Sequence, residues 1–124
     1  MSGQDDLAAR LMDDMDPKLL EFIRTRVSSF IKWDIVRFFH DNPHTTDTAD
    51  NIARYIGRDP QALEKELGEL VEAGVVQSSL VSGRLVYTLA KDQETRDLVS
   101  RFIRACEDRR FRVKAIYHVI RGMG

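Results

Sequence analysis

The chain changes its hydrophobic period abruptly at Gly74, and few folds accommodate that change. In "LEKELGELVEAG" (63–74), Leu63, Leu67, Leu70 and Val71 fall on one helical face, and a glycine ends the run. "VVQSSLVSGRLVYTLA" (75–90) follows at once, rich in β-forming residues, with Ser82-Gly83 at its middle. Two short strands joined by a tight turn account for this pattern. On the second strand Leu85, Tyr87 and Leu89 alternate with Arg84, Val86 and Thr88. From Asp92 the helical period returns, through Leu98, Val99, Phe102, Ile103, Cys106, Val113, Ile116, Tyr117 and Ile120. The expected class is mostly α with a small β-hairpin.

The part before residue 63 is helical in pattern. Residues 1–16 include five aspartates and form an acidic tail, partly disordered. Leu7, Leu11, Met12 and Met15 mark an apolar stripe there, so the tail is either frayed or a helix that forms against a partner. Asp16-Pro17 is a helix start, with a capping carboxylate and proline at the first helical position. The run after it repeats apolar residues from Leu20 to Phe39 and is long for one helix, and either Ser28 or Ser29 can cap a second one. Asn42-Pro43 ends it. Thr48 then caps a short helix with Ile52, Ala53 and Ile56 inward, closed by Gly57. Asp59-Pro60 starts a third helix, about 60–73. A domain over 17–90 with an extended first helix, followed by a helical segment over 91–124, is the natural division. "EDRR" (107–110) interrupts that last segment, which is one helix or two.

A short helix, a tight turn, a second helix and an immediate hairpin together resemble the winged helix-turn-helix. The resemblance covers roughly residues 28–90 and rests on "TADNIARYIG", "ALEKELGELVEAGVV" and "SGRLVYTL". The ordered set is similar to bacterial repressors of the arsenical-resistance and multiple-antibiotic-resistance types. It implies a transcriptional regulator with long N- and C-terminal flanking helices. The resemblance further implies that the third helix enters the major groove of duplex DNA and that the wing, about 75–90, lies on the backbone. It also implies a homodimer built on the flanking helices. Metal sensing through cysteine pairs is not implied, because Cys106 is the single cysteine.

Other chemistries find little support. His40 and His44 are separated by Asn42-Pro43, and no third ligand is evident, so no metal is expected. His118 lies in an apolar helical stretch and suits a core or interface position. The glycines at 122 and 124 precede no helix that could bind phosphate. Trp33, Phe38 and Phe39 are expected to pack in a core. Catalytic residues and cofactors are therefore not expected. The acidic N-terminus lacks the order of a secretory signal and no apolar run spans a bilayer, so the expected location is the cytoplasm, away from membranes.

The third helix poses a charge problem. Residues 44–90 hold 4 basic and 7 acidic side chains, whereas residues 91–124 hold 9 and 5. With Leu63, Leu67, Leu70 and Val71 inward, Gln61, Lys65, Gly68 and Glu72 face outward, with Ala62 and Glu69 to one side. Glu64 and Glu66 border the buried stripe. Gln61, Ala62 and Lys65 then make up the base-reading set, since Gln can pair with adenine, Lys with guanine and Ala with a thymine methyl. Arg54, Arg58 and Arg84 are the expected phosphate contacts, supplemented by a second subunit and by Arg109, Arg110, Arg112 or Lys114 if these face the same way. Leu98, Phe102, Cys106, Val113, Ile116, Tyr117 and Ile120 are the expected dimerisation face. The acidic third helix leaves a second function open: a winged-helix protein–protein module that does not read nucleic acid.

Overall fold

The structure, a computed structural model, describes residues 3–123, with side chains from Leu7 onward. Its helices are α1 (Gly3–Met12), α2 (Pro17–Thr25), α3 (Phe30–Asp41), α4 (Ala49–Ile56), α5 (Pro60–Glu72), α6 (Gln93–Ala105) and α7 (Arg109–Met123). The strands are β1 (Thr46–Asp47), β2 (Val76–Val81) and β3 (Arg84–Leu89), in an antiparallel sheet of order β1-β3-β2. This mostly helical arrangement with a small three-stranded sheet is compatible with a winged helix. Among the described residues no helix is long and apolar enough to cross a membrane.

Side-chain caps set the helix starts. The carboxylates of Asp16, Asp59 and Asp92 accept from the backbone N–H of Lys18, Ala62 and Thr95, and the hydroxyls of Ser29 and Thr48 accept from Lys32 and Asn51. Each such cap is worth roughly 1 kcal/mol. Gly57 closes α4 at φ 82°, a left-handed conformation that costs glycine nothing. At the hairpin tip Ser82 and Gly83 both have positive φ, 51° and 79°. Two such residues in a two-residue loop give the turn whose twist matches paired strands. The register runs from Val81 opposite Arg84 to Val76 opposite Leu89. The short β1, which sequence periodicity did not reveal, pairs Thr46 with Thr88 and Asp47 with Tyr87.

Three points that periodicity left open take definite form in the fold. The long first helix is two, because Ser29 caps α3 and the chain breaks at residues 26–29. The acidic tail contains a helix, α1, that packs against α7 of the same chain. The Met12 carbonyl lies 2.9 Å from His118 Nε2, and the Asp14 carbonyl accepts from Lys114 Nζ at 2.8 Å. The C-terminal segment is two helices that contribute to a single core with the rest of the chain, which runs from Leu19 to Val119. Phe102 and Cys106, expected at a dimer face, are therefore core residues at 0% and 3% exposure. Burial pushes the Cys106 thiol up to about 11, which keeps it protonated at neutral pH.

Phe102 is the hub of this core. Its ring lies 5.2 Å from that of Trp33, 5.7 Å from Phe22 and 6.2 Å from Phe111, joining α3, α2 and α7 to α6. Phe102→Ala is expected to cost about 3–5 kcal/mol. Chemical denaturation with circular dichroism measures this directly, and a loss below 1 kcal/mol would contradict the central placement.

Candidate nucleic-acid interface

The inward face of α5 is as helical geometry dictates: Leu63, Leu67 and Leu70 are fully buried. Gln61, Lys65, Gly68 and Glu72 are exposed on the opposite side, and Ala62 is half-buried. The first turn of α4, the flank of α5 and the β2–β3 hairpin enclose a groove of about 610 Å³. Arg54 enters it from α4 and Arg84 from the hairpin, so two of the expected phosphate contacts share one surface. Both are exposed and make no ion pair among the described residues. Asp50 and Glu64 line the same groove, as does Tyr87. Burial and then the Glu64 charge push the Tyr87 phenol above its ordinary value.

Arg58 lies elsewhere. Its Nε donates to Asp34 Oδ2 at 2.8 Å, and its Nη2 lies 2.7 Å from the same oxygen in an ion pair. It lines a separate hollow of about 270 Å³ with Trp33, Arg37 and Ile116. Arg58, expected with Arg54 and Arg84 as a phosphate contact, is thus paired with α3 and does not line their groove.

The acidic residues of α5 are not equivalent. Lys32, on α3, is 6% exposed, and its Nζ donates to Glu66 Oε2 at 2.6 Å and to Glu69 Oε1 at 2.9 Å. Burial opposes the charge on Lys32, but the hydrogen bonds it donates to Glu66 and Glu69 outweigh it and hold the ammonium above its ordinary value. The same hydrogen bond holds the Glu69 carboxyl below its ordinary value. Asp59 is occupied as the α5 cap. Glu64 and Glu72 are left as the open carboxylates of this helix.

Lys32 and Asp34 were missed from the sequence, although one signal was present. Lys32 stands at helical spacing with Ile35, Val36 and Phe39, on the apolar side of α3. A lysine in that phase needs a carboxylate partner, and Glu66 and Glu69 are spaced three apart to provide one. A second feature runs against a DNA-binding surface: Leu80, Val81 and Leu85 at the hairpin tip are 71%, 54% and 47% exposed.

The remaining dimer candidates divide by burial. Leu98 and Tyr117 are half-buried, whereas Val113, Ile116 and Ile120 are exposed on α7. Among the described residues no group of three or more His, Cys, Asp or Glu is placed to hold a metal ion. His40 lies 3.2 Å from Asp41, and His44 is exposed.

No family model matches the chain, and no curated protein matches it. A solved structure described as a possible transcriptional regulator from Methanosarcina mazei Go1 matches 87% of this chain and 82% of its own, with 12% identity and a TM-score of 0.47. Likeness at that level carries no argument about what the present chain binds.

Lys32→Met is expected to destabilise the protein by about 1–3 kcal/mol, because Glu66 loses its donor where it has little access to water. Glutamine at both 66 and 69 in the same background should restore most of the loss, and urea unfolding of the two variants reads both effects. The pH dependence has a defined sign. Glu69 is held low in the fold, so its contribution is present above the ordinary glutamate range of about 4.3 and is lost as pH falls through the folded value. Asp16 and Asp92, held low by the backbone N–H of Lys18 and the Thr95 hydroxyl, act in the same direction. The melting temperature should drop on acidification below about pH 5, and Glu69→Gln should make the drop shallower. An unchanged slope in that variant would refute the assignment.

Proposed function

We propose that the protein is a homodimeric winged-helix transcriptional regulator, without enzymatic activity, that binds duplex DNA in the cytoplasm. The observation that carries this reading is the division of charge on and around α5. Lys32 occupies Glu66 and Glu69, while Arg54 and Arg84 converge on the groove beside α5. In this reading Gln61, Ala62 and Lys65 meet base edges from the exposed side of α5, and Arg54 and Arg84 hold phosphates. Arg58, tied to Asp34, orients the start of α5 instead. A second subunit doubles the cations and supplies the second half-site contact.

A second reading, a protein–protein module on the same scaffold, is favoured by the aliphatic hairpin tip. Leu80, Val81 and Leu85 cannot neutralise phosphates, and Asp50 and Glu64 oppose an anion in the groove.

Fluorescence anisotropy with a labelled duplex separates the two. DNA binding is expected to weaken as salt rises, and Arg54→Ala with Arg84→Ala should reduce the log–log salt slope by roughly 0.9 for each lost phosphate contact. Absence of binding at low salt, with capture of a protein partner that Leu80→Ser and Leu85→Ser abolish, would establish the second reading instead.

A further inference from the structure

α1 and α7 leave a cleft between them, with α2 as its third wall, of about 370 Å³. It shares no residue with the groove beside α5. Its volume falls within the range of small-molecule sites, roughly 300–1,000 Å³. Arg24 enters the cleft from α2, and His118 and Arg121 enter it from α7. Buried Ile23 and half-buried Tyr117 supply an apolar wall. The Arg121 guanidinium stands 5.9 Å from the centre of the Tyr117 ring.

One carboxylate stands among these donors. Asp13 Oδ1 accepts from Arg24 Nη2 at 3.2 Å and lies 3.4 Å from His118 Nε2. The His118 side chain is 3% exposed, and the same Nε2 lies 2.9 Å from the Met12 carbonyl. A carbonyl only accepts, so this nitrogen carries the proton and aims it at the end of α1. Both Asp13 contacts use one oxygen and are longer than the 2.7–2.9 Å of a strong charge-assisted hydrogen bond. Arg121 makes no ion pair among the described residues. The cleft therefore holds two guanidinium groups against a single carboxylate that reaches only one of them.

We propose that this cleft binds a small phosphate monoester, which bridges Arg24, Arg121 and His118, displaces Asp13 and loosens α1 from α7. A phosphoryl group offers three acceptor oxygens and a charge of about −1.5 to −2, so it meets all three donors at once, as a carboxylate with two oxygens does not. Guanidinium forks suit that geometry. Ile23 and Tyr117 border the space left for the carbon part of the ester. Asp13 lies between the two points that fasten the end of α1 to α7, the Met12 carbonyl near His118 and the Asp14 carbonyl on Lys114. Its displacement therefore acts at the hinge of α1. This inference does not depend on the DNA reading: the cleft would make α1 a ligand-responsive element whether the α5 face meets nucleic acid or protein.

Isothermal titration calorimetry of the full chain with glycerol 3-phosphate, at constant ionic strength, tests the proposal. Inorganic phosphate, dimethyl phosphate and glycerol are the comparison ligands. Glycerol 3-phosphate should bind at one site per chain, inorganic phosphate more weakly, and the diester and the alcohol not at all. Arg121→Gln should weaken binding at least tenfold, and because Arg121 is exposed its circular dichroism should stay native. Asp13→Asn should tighten binding at least threefold, since it removes the competing carboxylate; loss of a merely structural contact would act the other way. Hydrogen exchange over residues 3–14 should quicken when the ester is added. Unchanged affinity in Arg121→Gln, or no heat from the ester at about 5 mM with both the unmodified chain and Asp13→Asn, would overturn the site. Binding without faster exchange would overturn the displacement of Asp13. Tighter binding of inorganic phosphate than of the ester would assign the cleft to free phosphate, and binding of dimethyl phosphate would assign it to a nucleic-acid backbone; either result refutes the monoester.

Discussion

The contact between Lys32 and the paired carboxylates of Glu66 and Glu69 joins α3 to α5, and the candidate surface depends on it. A buried ammonium is costly unless it is matched in charge and hydrogen bonding. Here two acceptors meet it at 2.6 and 2.9 Å. The pair fixes how α5 lies across α3, and with it the direction in which Gln61 and Lys65 point. Its single positive charge also offsets one of the two carboxylates, which lessens but does not remove the acidic field that an anionic ligand would meet. One interaction thus sets both the geometry and the charge of the candidate surface.

The residues after Lys32 extend this role. Successive helical positions are about 100° apart, so Lys32, Trp33 and Asp34 point in three directions. Lys32 meets α5, Trp33 packs on Phe102 of α6, and Asp34 holds Arg58 at the start of α5. The α4–α5 pair is therefore held against the C-terminal helices through one turn of α3. A change in the packing of α6 would reach α5 through Trp33, because interiors this densely packed transmit displacement.

The helices and hairpin were legible where periodicity and punctuation agreed. Asp59-Pro60, Thr48 with Gly57, and Ser82-Gly83 each mark a boundary that the structure places where expected. Helical phase also placed the outward face of α5. What escaped was decided by contacts between distant residues. Phe102 reads as part of a long exposed stripe, yet α2 and α3 cover it. Arg58 reads as an open cation, yet Asp34, 24 residues earlier, holds it. Thr46-Asp47 is too short to show a period and becomes a strand only because β3 offers an edge. Periodicity reports which face is apolar, but not whether the cover comes from the same chain.

The basic C-terminal segment illustrates the same limit in its charges. By composition it could provide a broad positive field for DNA. In the fold, Arg96 donates to the Ala90 carbonyl, Arg112 to the Cys106 carbonyl and Lys114 to the Asp14 carbonyl, and Arg101 pairs with Asp16. These four cations tie chain ends and helix termini together, where carbonyl groups otherwise lack donors. Asp16 offsets the charge of Arg101, whereas the carbonyl acceptors fix where the other three cations sit without removing their charge. On the α5 face an anion meets Arg54, Lys65 and Arg84 beside Asp50 and Glu64, so strong phosphate binding would require this small set of cations to be duplicated, as the proposed homodimer would do.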